Sequence, residues 1–238
     1  MRLAKYLARL GVASRRECES IIISGRVKIE GKVVFDPALE IGDNSKPELD
    51  NFPLINTSQN SFSYIALNKP VGVNSTMKSG HEKGLTIADL VDYSTRLFPV
   101  GRLDKNTSGL VILTNNGDLT NKLTHPGSQI QKEYVVKLQR NLSRSDIHKL
   151  ARGILIDDRV VEVDDVRAIG KYRYSVVIHE GRKHIIRRLL GAVSHRILEL
   201  KRVRIGSLSL GRLGLGKWRK LNNVEIKTLL KIGDINPS

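Results

Sequence analysis

A single cysteine, Cys18, stands in 238 residues. One thiol excludes an internal disulfide and any multi-cysteine metal site. The sequence has no H-E-x-x-H pair, no C-x-x-C and no glycine loop of the phosphate-cradling kind, so the usual residues for zinc hydrolysis and for nucleotide chemistry are missing. No apolar run approaches the length of a membrane span, and Met1-Arg2-Leu3 opens a polar periodic segment rather than a secretory leader. Acids are also scarce, 24 against 40 Lys and Arg, for a formal net charge of +16 and a pI near 10.1. These absences predict a reducing cytoplasmic setting without membrane contact. With 40% hydrophobic residues the chain is too apolar for a disordered basic tail, and it is too basic for an ordinary metabolic enzyme. A folded chain with this excess of cations is expected to meet a polyanion. Its length suits one domain, or a small one followed by a medium one.

The most informative stretch runs from Val100 to Leu113, V-G-R-L-D-K-N-T-S-G-L-V-I-L. A polar loop bounded by Gly101 and Gly109 lies between two runs rich in β-branched residues, and Leu110 to Leu113 reads as a buried strand because it is short and continuously apolar. Asp104 is thereby set on a loop beside a rigid sheet, where catalytic groups tend to be placed. Arg102 and Lys105 flank it with positive charge. An ionised carboxylate so held could act as a nucleophile or base. Taken alone, an Asp here reads more readily as a turn cap, since turn-forming Asp is common.

The opening segment forms a unit of its own. Leu3, Leu7 and Leu10 recur at helical spacing before Gly11, and Ser14 stands three residues before Glu17, a capping-box spacing for a second helix carrying Ile21 and Ile22. After Gly25, Val27 and Ile29 alternate with charged residues, Gly31 turns the chain, and Val33-Val34 begins a return strand. Arg15, Arg16, Arg26 and Lys28 gather around the second helix and the hairpin; such charges also serve as an ordinary solvated face. The run S-R-R-E-C-E-S-I-I-I-S-G-R-V-K-I-E-G-K-V-V is similar to the small RNA-binding domain of ribosomal protein four of the small subunit, over about residues 1 to 50. That resemblance implies recognition of structured RNA through its phosphate backbone. Residues 1–60 are accordingly assigned to this domain and its linker, with Asn56–Ser63 the flexible part, and residues 61–238 to a larger domain.

The larger domain begins with the strand Tyr64-Ile65-Ala66-Leu67, then Asn68-Lys69-Pro70. Pro70 fixes a turn that holds Lys69 at a strand end, where it could neutralise a phosphate or simply be solvated. Ser75 to Gly84 reads as a mobile loop, and Thr86 as a cap for a short helix through Val91. Asn116 to Asp118 turns into a helix with Leu119 and Leu123. Tyr134, Val136 and Leu138 share one strand face, and Tyr134 alone is an ordinary core aromatic. Ser143 and Asp146 repeat the capping spacing for a helix ending at Gly153. Ile154 to Val166 reads as a pair of short strands, Tyr172 to His179 as another. Ile185, Ile186, Leu189, Leu190 and Val193 give the next helix a buried face, Ile197 to Ile205 is a strand, and a last helix carries Leu229. Between Arg182 and Lys220 there are twelve Lys or Arg against one acid, Glu199. A stretch so dense in one charge calls for an anionic partner.

G-R-L-D-K-N-T-S-G-L, K-E-Y and E-G-R-K-H-I-I-R-R-L, with N-K-P-V-G before them, together resemble the signature motifs of the pseudouridine synthases. With the amino-terminal RNA-binding domain in front, the chain is similar to their ribosomal RsuA/RluB branch as far as about Lys231. The resemblance implies an isomerase that converts uridine to pseudouridine in ribosomal RNA, of the large subunit (23S) rather than the small (16S), after flipping the base out. Asp104 would be the essential aspartate, acting at C1′ of the ribose, at C6 of the base, or after removal of a ribose proton. Tyr134 would pack against the uracil and serve in proton transfer. Arg187 would pair with Asp104 and fix its rotamer. Arg102 would contact the RNA, with Lys69 a supporting residue and Arg182, Lys183 and Arg188 a further RNA-binding surface. The chemistry oxidises nothing and imports no group, so no metal, nicotinamide or nucleotide cofactor is expected. Two departures from the family pattern stand out: Ile185 where Gln or Glu is common, and Lys183-His184 where Asn-Arg is common.

The expected fold is α+β, a helix-helix-hairpin domain tethered to a mixed, mainly antiparallel sheet with a central cleft. The partner is expected to be ribosomal RNA or a precursor of a ribosomal subunit, bound by a monomer. A competing expectation is an RNA-binding or ribosome-assembly factor that keeps the scaffold without the chemistry.

Overall fold

The computed structural model describes residues 1–42, 45–54, 62–77 and 84–231. The linker expected over Asn56–Ser63 therefore lies outside the described residues except at 62 and 63, and the loop expected over Ser75–Gly84 except at 75–77 and 84. The chain divides into two compact units, Met1–Phe62 and Ser63–Ser238.

The first unit runs α1 (Leu3–Arg9), α2 (Arg15–Ile23), β1 (Val27–Ile29), β2 (Lys32–Val34), β3 (Pro47–Leu49) and β4 (Phe52–Pro53). Helix α2 starts where the capping spacing places it: the Ser14 side chain accepts from the Glu17 N–H, and Glu17 accepts from the Ser14 N–H at 2.8 Å. The strands form an antiparallel sheet in the order β2-β1-β3-β4. Leu3, Leu7, Cys18, Ile22 and Val27 are fully buried between helices and sheet. At about 1.5–3 kcal/mol per large apolar side chain, this small core leaves little reserve for a unit of this size.

The second unit contains β5 (Tyr64–Lys69), β6 (Phe98–Val100), β7 (Ser108–Thr114), α3 (Gly117–Thr124), β8 (Lys132–Leu138), α4 (Arg144–Arg152), β9 (Ile154–Ile156), β10 (Arg159–Val161), β11 (Asp165–Gly170), β12 (Arg173–Ile178), α5 (Ile185–Ala192), β13 (Ile197–Ile205), β14 (Leu208–Ser209), β15 (Trp218–Lys220) and α6 (Asn223–Lys231). Nine of these strands make one sheet with the path β11-β12-β8-β13-β7-β5-β15, to which β6 and β14 add at β7 and β13. Every pairing in it is antiparallel except β7 with β13. The hairpin β9–β10 forms a separate two-stranded sheet.

Strand alternation shows why β5 and β7 read as unbroken apolar runs. Ile65, Leu67, Val111 and Leu113 enter one hydrophobic cluster, while Tyr64, Ala66, Leu110 and Ile112 enter another. Both faces of the sheet centre are thus covered, and each strand needs apolar residues at every position. Helix α5 lays Ile185, Ile186, Leu189 and Leu190 on the first cluster, which leaves Arg187 and Arg188 half-buried at its rim. The α+β class and the mixed sheet are those expected from the sequence.

Candidate active site

The charged side chains converge from three directions. The loop between β6 and β7 carries Arg102 and Asp104, the approach to α5 carries Arg182, Lys183 and His184, and the adjacent strands β8 and β13 supply Lys132, Tyr134 and Arg202. All of these line one cleft of about 370 Å³, together with Thr107, Arg187 and Leu200. That volume lies in the range of pockets that enclose small ligands. Among its lining residues Asp104 is the one carboxylate.

The Asp104 loop is pinned from several sides. Its start turns at Gly101, with φ +68°. Leu103 donates its N–H to Ser75 Oγ at 3.1 Å, and that hydroxyl donates to the Leu103 carbonyl at 2.7 Å. Gly72 N–H donates to the Lys105 carbonyl, and Thr107 N–H to the Asp104 carbonyl. So the N-K-P-V-G segment and the G-R-L-D loop hold each other. The Asp104 carboxylate remains about one-third exposed, open to the cleft, with Oδ1 3.3 Å from His184 Nε2.

His184 reaches Asp104 because its backbone sits in the left-handed region, φ +57° and ψ +24°, just before α5. A non-glycine residue there costs of order 1 kcal/mol. Arg187, one turn into the helix, does not make the ion pair with Asp104 that the resemblance implied. It donates instead from Nη2 to the Asn106 carbonyl at 2.7 Å. The correction is physical: the left-handed turn aims the shorter imidazole at the carboxylate, while the longer guanidinium passes on to the loop backbone. Arg187 thus holds the Asp104 loop, and His184 faces the Asp104 side chain. Sequence reading passed over His184 as a functional group, although its position had been marked as a departure from the family pattern.

Lys69 also requires correction. It is fully buried and donates to the carbonyls of Pro70 (3.0 Å) and Val73 (2.7 Å), so it cannot contact RNA. Burial draws its pKa down to about 8, against the opposing pull of the Asp104 charge and with a further lowering from Arg202. Its role is to tie the turn after β5 beneath the Asp104 loop.

Tyr134 on β8 is buried and lines the cleft. Its register partner on β13 is Arg202. Arg202 is only 4% exposed; its Nε donates to the Leu110 carbonyl at 2.9 Å, and its buried Nη2 has no hydrogen-bond partner. Nearby Lys132 donates to the carbonyls of Ile130 and His179. Burial, then the Arg202 charge, lowers its pKa, and Glu180 opposes the shift. The close approach of β7 to β13 depends on Gly109: a Cβ there would lie 2.1 Å from the Arg202 carbonyl oxygen, and its φ is +110°.

The remaining expected RNA contacts divide. Arg102, Arg182 and Lys183 join Asp104 at the cleft. Arg182 is held there by Glu180 at 3.0 Å and by the Ile156 carbonyl at 2.8 Å. Arg188 does not line it and is taken up by Asp157 at 2.6 Å. In the first unit Arg15 and Arg16 are exposed on α2, Lys28 is half-buried on β1, and Arg26 is paired with Asp50 at 2.9 Å.

Residues 63–192 match the sequence model of the RNA pseudouridylate synthases, and residues 1–45 match that of the S4 domain. The chain belongs to the RNA pseudouridylate synthase family. It is an isomerase acting on RNA, with an S4 domain at its amino end, and its relatives are named for the enzyme rather than for a binding factor. A protein of Aquifex aeolicus named as an uncharacterized RNA pseudouridine synthase is 38% identical over 237 residues, covering 97% of this chain and 94% of the relative. The dual-specificity RNA pseudouridine synthase RluF of Escherichia coli K12 is 35% identical over 236 residues, covering 98% and 79%. A crystal structure titled as a pseudouridylate synthase superposes with a TM-score of 0.70 at 28% identity, covering 96% of this chain and 99% of that one.

Proposed function

We propose that this pseudouridine synthase modifies ribosomal RNA, with the large-subunit RNA as its substrate, and that Asp104 is the reacting carboxylate. The observation that carries the reading is the lone, partly open carboxylate in a cleft that also draws Arg102, Lys132, Arg182, Lys183, Arg187 and Arg202 into its lining. The isomerisation breaks the C1′–N1 bond of uridine, turns the uracil and joins C5 to C1′. The C5 proton leaves and N1 gains one, so the atoms balance without any further reactant. A carboxylate near C1′ or C6 suits the positive or electrophilic carbon at either centre. The base must leave its stack to reach such a pocket, and the cationic rim of Arg102, Lys183 and Arg187 suits the phosphates on either side of it. Tyr134 offers a ring face for the base, and Arg187 keeps the Asp104 loop in place through Asn106.

Ribosomal RNA labelled with tritium at uracil C5 tests this, because forming the new C–C bond releases the label. Wild-type protein is expected to release tritium from 23S transcripts, with 16S transcripts as the comparison. Asp104→Asn is expected to abolish release while RNA binding persists. Turnover by that variant would refute the assigned carboxylate, and release from 16S RNA alone would refute the substrate.

A further inference from the structure

The cleft holds an unused cation in its floor. Arg202 lies on the central strand β13, opposite Tyr134 on β8 and Gly109 on β7. It is nearly sealed from solvent, no carboxylate pairs with it among the described residues, and only its Nε is satisfied. Burying a guanidinium without an anion is costly, far more so than leaving it at the surface. A buried donor without a partner therefore calls for a ligand acceptor. Thr107, which also lines the cleft, likewise has a buried Oγ1 without a partner. Both residues line the cleft that holds Asp104, so an occupant of that cleft is placed to supply an acceptor.

We infer that Arg202 is a catalytic residue that binds a carbonyl oxygen of the target uracil and stabilises the negative charge that develops on that base during the reaction. The inference rests on the reading of Asp104 as the reacting carboxylate. If Asp104 attacks C1′, a carboxylate oxygen–C1′ bond forms, the C1′–N1 bond breaks, and its electron pair leaves on uracil, spread over N1, O2 and O4. If a ribose proton is removed first, the same pair departs with the base. If Asp104 adds to C6, the oxygen–C6 bond forms and the ring electrons move towards O4. In all three routes one negative charge passes to the uracil. A fixed cation that is nearly fully buried, already oriented by its bond to the Leu110 carbonyl, stabilises that charge without reorganising. The close strand pairing at Gly109 keeps it in place.

The test compares leaving groups. Single-turnover consumption of the target nucleoside is followed by nucleoside digestion and chromatography on one 23S transcript made with uridine or with 5-fluorouridine, whose base carries negative charge more readily. Fluorine cannot leave C5 as the proton does, so the fluorinated base, once rejoined through C5, keeps its fluorine and takes up water at C6. The quantity compared is loss of the N-linked nucleoside. Arg202→Gln is expected to slow conversion of the uridine transcript by about 10²–10³-fold, and to slow the fluorinated one by roughly tenfold or less. RNA affinity should stay within about twofold, since the lost interaction belongs to the transition state. Arg202→Lys keeps the charge and should retain more of the rate than the Gln variant. Equal losses on both transcripts, or no loss at all, would overturn the assignment. Should Arg202→Gln fail to fold by circular dichroism, the same comparison on Arg202→Lys decides by the same criterion. Absence of conversion by wild-type protein would instead strike the ribosomal-RNA reading itself, which separates the two failures.

Discussion

Replacing Gly109 by Ala would test whether the contact between β7 and β13 builds the site. The new Cβ would sit 2.1 Å from the Arg202 carbonyl oxygen and 2.7 Å from its amide nitrogen, both backbone atoms that no rotamer change can move. Restoring ordinary contact requires β13 to retreat by about 1 Å. That movement loosens the Lys201–Ser108 and Arg202–Gly109 register of the parallel pair, at about 1–3 kcal/mol as for other overpacked sites. The φ of +110° adds about 1–3 kcal/mol for any residue with a Cβ. The sum is roughly 2–6 kcal/mol, and at about 2–4 °C per kcal/mol for a unit of this size the midpoint should fall by roughly 4–24 °C. Gly191→Ala is the matched control: nothing lies within 4 Å of the added methyl on α5, and a helical Gly→Ala exchange should stabilise by about 0.5–1 kcal/mol. Differential scanning calorimetry reads both, and tritium release should fall with Gly109→Ala because Arg202 and the Asp104 loop move with the strands. A Gly109→Ala protein melting within about 2 °C of wild type would refute the reasoning.

Two further outcomes are expected. His184→Asn should keep the left-handed turn, which Asn tolerates well, but cannot reach Asp104; the single-turnover rate should drop by about tenfold with stability unchanged or slightly raised. An unchanged rate would show that His184 does not position the carboxylate, and joint loss of rate and stability would show a merely structural role. Asp146, which accepts from the N–H and hydroxyl of Ser143 and pairs with His195, has its pKa lowered to about 2, mainly by the Ser143 backbone bond. Because the folded value lies below the unfolded one, its contribution of about 1–2 kcal/mol is full above about pH 4 and lost as pH falls towards 2. Denaturant titrations should therefore show Asp146→Asn less stable than wild type at pH 6, with the gap narrowing between pH 4 and 2. A gap that does not depend on pH would contradict this assignment.

Local signals in the sequence were sufficient where the physics is local. The spacings Ser14–Glu17 and Ser143–Asp146 both appear as capping boxes, and the alternation of Tyr134, Val136 and Leu138 appears as a strand with one buried face. The apolar residues of the segment after Gly181 mark the face that α5 buries. What stayed hidden depends on contacts between distant segments. Lys69 looked like a strand-end cation because nothing local shows that β5 is covered on both faces. Arg202 looked like one more charge on a basic strand, since its burial follows from β13 lying between β8 and β7. The family resemblance implied an Arg187–Asp104 pair but could not reveal the turn at His184, because the direction of a side chain just before a helix depends on backbone dihedrals that composition does not encode.

The central claim, that Asp104 drives uridine isomerisation in large-subunit ribosomal RNA, is tested most directly by mapping pseudouridines in ribosomal RNA from cells lacking the protein and from those cells complemented with wild-type or Asp104→Asn chain. The account predicts that 23S modification is lost with the gene, restored by the wild-type chain, and not restored by the variant. An unchanged map in the deletion strain, or restoration by the Asn variant, would contradict it.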